Sequence, residues 1–130
     1  MSEWRWLTIE VILAIHDEQL AEHGGKPGIR DIALLESALA RPKNRAAYGP
    51  ATAFELAAAY AFGIIRDHPF VDGNKRVAFL AAALFLLDHG WEVAATDEAI
   101  VTVMLALADG TVDEAGFASW LGQNAAEGAG

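Results

Sequence analysis

The sequence predicts a single all-α domain, a bundle of about six helices, and three observations carry that prediction. Apolar residues recur at spacings of three and four, as in Trp6, Ile9, Ile12 and Leu13. Two segments, FELAAAYAFGII and VAFLAAALFLL, are apolar on nearly every side, which marks a pair of buried central helices. Capping residues and Gly or Pro breaks punctuate the boundaries between periodic stretches, and no stretch reads convincingly as a strand. At 130 residues, 54% of them hydrophobic, the chain has material for one core and no length for a second.

The first helix is expected from about Leu7 to Glu22, stopped by His23-Gly24-Gly25, with Pro27-Gly28 continuing the loop. Asp31 caps a second helix, IALLESALA, which ends near Arg41-Pro42 because proline disfavours helix in the residue before it. Residues 41–51, with two Pro, one Gly and three cations, read as a loop. Thr52 and Glu55 form a capping-box signature that starts a third helix, Ala53 to Asp67. The fourth runs from Asn74 to His89 and stops at Gly90 in a left-handed cap. WEVAA is a short extended link. Thr96 caps a fifth helix, with Asp97 and Glu98 near its positive end. Asp109-Gly110 turns the chain and Asp113 caps a short sixth. The domain then spans residues 1–124, and 125–130 form a flexible tail.

The nine Lys and Arg all lie at or before Arg76. Residues 77–130 carry eight acidic groups and no basic one, within a net charge of −9 for the chain. A nucleic-acid binder needs a basic stripe, and this half has none. Absence of cysteine excludes disulfides and thiolate chemistry and suits a reducing compartment. The N-terminus lacks the pattern of a signal peptide, and the longest apolar run, Val77 to Leu87, is far short of the ~20 residues that span a bilayer. A cytoplasmic location is expected.

Between the two central helices stands HPFVDGNKR, residues 68–76. Pro69 ends the third helix, and the loop leads into the fourth, whose first N–H groups have no partners within the helix and favour an anion. Lys75 and Arg76 place two cations where the helix dipole disfavours them, so an anion is expected beside them, with phosphate the natural candidate. Gly73 allows close approach of the backbone. Asn74 can donate to a phosphate oxygen and Arg76 can grip one bidentately. Asp72 is a hard oxygen ligand for Mg²⁺, and His68 can take a proton near neutral pH. Such a set suits phosphoryl transfer, which depends on positioning and on stabilising charge.

The motif resembles the signature H-x-F-x-D/E-G-N-G/K of the Fic/Doc superfamily, and HGGKPGIRDIALLESALARP resembles the N-terminal part of its Doc (death-on-curing toxin) branch. The resemblance covers roughly residues 7–90. It implies a helical Fic/Doc fold with His68 as catalytic base and Asp72 as the Mg²⁺ residue. Phe70 would be a core anchor, and Gly73, Asn74, Lys75 and Arg76 a nest for ATP phosphates. Larger Fic enzymes transfer AMP to a hydroxyl side chain. Where they carry a second Gly this chain has Lys75, and where they carry their final Arg it has Phe79. Both departures match the Doc branch, which implies a protein kinase: transfer of the γ-phosphate to a threonine of elongation factor Tu and arrest of translation. The inhibitory motif S/T-x-x-x-E-G/N is absent. That agrees with control in trans by a Phd-like antitoxin.

Lys75 either contacts phosphate or blocks one binding mode. His16, His23 and His89 read as structural, the last two favouring a protonated ring at helix ends. Arg30-Asp31 reads as a cap with a surface charge pair. The basic loop 41–51, with Arg41, Lys43, Arg45 and Tyr48, is the candidate for docking the target. Two other functions remain alternatives: a Fic-type AMP transferase, and a catalytically silent module that binds its antitoxin.

Overall fold

The computed structural model describes residues 4–128. Six α-helices and two short strands follow in the order α1 Ile9–His23, α2 Ile32–Tyr48, α3 Ala53–Asp67, α4 Asn74–Asp88, β1 Trp91–Val93, α5 Asp97–Asp109, α6 Glu114–Gln123 and β2 Ala125–Glu127. The expected all-α class holds. Among the described residues no helix is long and apolar enough to cross a membrane.

The two apolar helices form the centre. α3 buries Leu56 to Ala61 without a break, together with Gly63 and Ile64, and α4 buries Val77, Ala78, Ala81, Ala82, Phe85 and Leu86. Their small residues let the two backbones approach, and α2 and α6 pack on α3 while α1 and α5 flank α4. Tyr60, fully buried, accepts a hydrogen bond on its hydroxyl from Leu7 N (2.9 Å), and burial pushes its pKa up to about 12. Trp4 and Trp6 lie against Phe85. His89 Nδ1 donates to Phe85 O (2.7 Å) while Nε2 accepts from Arg5 N (3.0 Å), an arrangement that uses the lone pair on Nε2. The expected protonated ring at this helix end is therefore corrected: the N-terminal segment takes the lone pair.

α2 departs from expectation. It does not end at Arg41 but continues through Pro42 to Tyr48. Pro42 is buried against the core, and burial outweighs the local preference of the preceding residue to leave the helix. Lacking an N–H, Pro42 leaves the carbonyl of Ala38 without its helical partner. That carbonyl lies against Gly63 of α3, where a Cβ would stand 3.1 Å from both Ala38 Cα and Ala38 O. Helices α2 and α3 thus meet at a point where any Cβ on residue 63 would be crowded by the α2 backbone.

The second departure is the strand pair. Trp91, Glu92 and Val93 pair antiparallel with Glu127, Ala126 and Ala125, and bonds from Ala94 N to Asn124 O (2.7 Å) and Gly128 N to Gly90 O (2.8 Å) extend the ladder. Residues 125–127 are therefore ordered against β1. The last two residues of the expected tail, 129–130, lie outside the described residues.

Candidate active site

α3 runs to Asp67 and hands over to His68, which caps it in the left-handed conformation (φ 50°, ψ 56°) with its N–H on Ile64 O. Among the described residues no other non-glycine has positive φ. Histidine tolerates this region better than most residues, yet the cost is about 1 kcal/mol. It turns the imidazole out of the helix path: His68 is exposed and forms part of a cavity wall.

Phe70 and Asn74 lock the loop. Phe70 is fully buried, its N–H donates to Asn74 Oδ1 (3.0 Å), and Asn74 Nδ2 donates back to Phe70 O (2.9 Å). With the residue 4% exposed, both ends of the carboxamide are bonded. The side chain thus holds the loop closed at the start of α4, while Asn74 also lines the cavity and its second amide N–H has no protein partner among the described residues.

That start is open. Thr8, Asp31, Thr52, Thr96 and Asp113 cap the other five helices with side-chain oxygens, whereas α4 begins at Gly73 (φ 82°, ψ 12°) with no side-chain cap. Its first N–H groups stay available for an external acceptor. Lys75 and Arg76 are exposed on the same turn and line the same cavity as His68, Asp72 and Gly73.

Asp72 is exposed, and its carboxylate is fixed by the backbone. Oδ2 accepts from Lys26 N (3.2 Å) and Oδ1 from Gly73 N (2.8 Å). These bonds, the Lys26 one foremost, hold the carboxyl below the usual aspartate range, and the charges of Arg76 and Lys26 add to the effect. The ionised group retains lone pairs for a hard cation. Among the described residues no cluster of three His, Cys, Asp or Glu gathers to hold a metal. A cation here would complete its shell with phosphate oxygens and water, as Mg²⁺ does, so Asp72 fits that ion.

Local sequence did not reveal how the loop is held from outside. Residues 24–31 form a strap across it. Val71 N donates to Gly28 O (3.1 Å), Pro69 O accepts from Arg30 N and Asp31 N, and Ile29 bridges Phe70 as in an antiparallel ladder. Gly25 (φ 121°) lies so close that a Cβ would stand 2.8 Å from Asp72 Oδ2. Arg30 donates from Nε to His68 O and from Nη2 to Asp67 O, both at 2.7 Å, neutralising the carbonyl end of α3. It is a support of the site, not a surface charge partner. His16, 3% exposed, stacks on Phe70 (centroids 3.9 Å apart) and places Nε2 2.9 Å from Asp72 O. The spacing of His16 and of GGKPGIRD to the motif carries no local signal for these contacts.

The cavity measures about 730 Å³. Beyond the motif its wall includes Gln19, Glu22 and His23 of α1, Phe79 and Leu80 of α4, and Asp97, Ile100, Val101, Met104 and Leu105 of α5. His23 thus belongs to the cavity as well as to a helix end.

The proposed docking residues do not form a basic loop. Arg41 is paired with Glu114 of α6 and stacked over Phe62 (4.7 Å), and Arg45 bonds Glu55 (3.1 Å) and Pro50 O (3.0 Å). Both cations are spent joining helices. Lys43 is exposed and Tyr48 is 92% exposed, but neither lines the cavity.

The matches to known proteins fall on this same architecture. The profile of the Fic/DOC family covers residues 6–86, from the segment before α1 to the last turn of α4. Protein kinase doc of Escherichia phage P1 is 38% identical over 90 residues, spanning 68% of this chain and 71% of that protein. Toxin Doc of Mycolicibacterium smegmatis is 41% identical over 75 residues, spanning 55% of this chain and 57% of that one. With α1, the strap, the motif loop and the open end of α4 all inside the matched span, the chain belongs to the Fic/DOC family.

Proposed function

We propose that this chain is a Doc-type toxin, a protein kinase that moves the γ-phosphate of ATP onto a hydroxyl side chain of a target protein. The target in this reading is a threonine of elongation factor Tu, and a Phd-like antitoxin restrains the toxin in the cytoplasm. The observation that carries the reading is the uncapped start of α4, bearing Lys75 and Arg76, in one cavity wall with the outward-turned His68. The name of the phage relative, a protein kinase, supports it.

His68 takes the proton from the target hydroxyl. The freed oxygen forms its bond to the γ-phosphorus as the bond from that phosphorus to the leaving ADP oxygen breaks. The free N–H groups of α4 and the guanidinium of Arg76 hold the phosphate oxygens, and little reorganisation is needed because Asn74, Arg30 and His16 have already fixed the loop. Asp72 would hold Mg²⁺, which would supply positive charge against the phosphates there. Phe79 puts an apolar ring in the cavity where AMP-transferring relatives present a cation, and this favours the kinase over AMP transfer.

The test uses purified protein, Mg²⁺ and elongation factor Tu, with ATP labelled in parallel at the α- or γ-phosphate. Label on the factor from the γ position alone is expected. Label from the α position makes the chain an AMP transferase, and none from either position removes the enzyme reading for this target.

A further inference from the structure

Three consecutive carbonyls at the end of α3, those of Asp67, His68 and Pro69, all accept hydrogen bonds from one residue of the strap. Arg30 donates from Nη2 to Asp67 O and from Nε to His68 O, both at 2.7 Å, and its own N–H reaches Pro69 O at 2.6 Å. In a continuing helix Asp67 O would accept from Val71 N, but that N–H goes to Gly28 O instead. A guanidinium presents its donors in a rigid planar fork, so it can bridge two neighbouring carbonyls that a point-like ammonium cannot hold in register. Arg30 is itself exposed, so it fills no gap in the core, and among the described residues its side chain makes no other hydrogen bond.

The residue between those carbonyls is His68. Its left-handed backbone lies above the right-handed one in free energy and persists only where the surroundings impose it. Two peptide planes flank its Cα. The one carrying Asp67 C=O sets φ, the one carrying His68 C=O sets ψ, and the Arg30 fork grips both. The groups that face the phosphates are held by other means: Asp72 by Lys26 N and Gly73 N, and Asn74 by Phe70.

We propose that Arg30 is a positioning residue for the proton-transfer step: by fixing the two peptide planes around the His68 Cα, it aims the imidazole at the target hydroxyl. This rests on the reading above, in which His68 is the base. Without the guanidinium, His68 relaxes out of the left-handed region and its ring turns away, while the phosphate end of the cavity stays as it is.

The experiment compares the full chain with Arg30→Met, which keeps the reach of the side chain and removes its donors. The first readout is NMR. Positive φ brings a residue's amide and α protons close together, so His68 of the parent should give a strong intraresidue cross-peak that weakens in the variant. A parent without that strong peak, or a variant that keeps it, overturns the proposal. Should Arg30→Met not fold, Arg30→Lys, which keeps the charge but not the fork, is read in the same way. The second readout separates binding from turnover. Calorimetric titration with Mg-ATP should give parent and variant affinities within about twofold of each other. Transfer of the γ-phosphate to elongation factor Tu at saturating ATP should fall about tenfold or more. Parent-like transfer overturns the proposal, and so does a loss of ATP affinity as large as the loss of rate, which would make Arg30 a support of the whole loop. A parent that transfers nothing overturns the kinase reading for this target, and the NMR comparison still decides whether Arg30 sets His68.

Discussion

At the residue scale, His68 combines a strained backbone with an exposed ring. Replacing it by Ala removes the proposed base but none of the bonds that hold the loop, which run through its backbone N–H and C=O. The expected outcome is phosphotransfer lowered by 10² or more, the usual worth of a general base, with melting within about 1 kcal/mol of the parent. A variant that keeps its activity would remove His68 from the mechanism.

Asp72 carries the pH prediction. Its folded pKa lies below the ordinary 3.8, so its ionised form is favoured by folding. That contribution is present above 3.8 and is lost as pH falls through the lower folded value. Carboxyl carbon NMR should give Asp72 a midpoint below 3.8, and the stability difference between parent and Asp72→Asn should vanish under acid conditions. A midpoint at or above 3.8 would mean that the Lys26 and Gly73 N–H groups do not hold the carboxylate in solution.

At the scale of elements, the α2–α3 contact sets two effects against each other at Gly63. Alanine in a helix is favoured over glycine by up to about 1 kcal/mol. Here its methyl would stand 3.1 Å from two backbone atoms of Ala38, and overpacking of that kind costs about 1–3 kcal/mol. The clash wins, because backbone cannot swing aside as a side-chain end can. Gly63→Ala is expected to lower stability in urea unfolding, and an increase would show that α2 can slide on α3.

Local signals account for most of the elements. The caps at Asp31, Thr52, Thr96 and Asp113 stand where the sequence places them, because capping is decided within three residues. The passage of α2 through Pro42 was not legible, since the deciding contact is burial against α3. Nor was the strand pair: WEVAA reads as extended, but its partner, Ala125 to Glu127, lies more than thirty residues away and has no strand pattern of its own. The motif was legible as one short run, but its outer supports were not. His16, Lys26 and Arg30 reach it across sequence separations of 56, 46 and 38 residues.

For the whole molecule, the charge asymmetry of the sequence becomes a spatial one. The acidic C-terminal half supplies Asp97 and the apolar α5 side of the cavity, and residues 1–76, which hold all nine Lys and Arg, supply Lys75 and Arg76. The chain's end also closes the structure: β2 covers β1, whose Trp91 packs on Phe54 of α3. Ending the chain at Asn124 removes that ladder, at about 0.5–1.5 kcal/mol for each lost hydrogen bond. A melting temperature several degrees lower by circular dichroism is expected, with the α4 site unaltered. An unchanged melt would mean that the strand pair contributes nothing to the fold.

The strap across the motif loop also bears on when the site exists during synthesis. Residues 16–31 leave the ribosome first and cannot grip a loop made some forty residues later. The α3–α4 hairpin is local and can close early, whereas the strap's bonds span long stretches of chain and form late. The α3–α4 hairpin is therefore expected to form before the motif loop is strapped. In pulsed hydrogen exchange the Lys26 and Val71 amides should gain protection after those of α3 and α4, and simultaneous protection would mean that strap and hairpin form together.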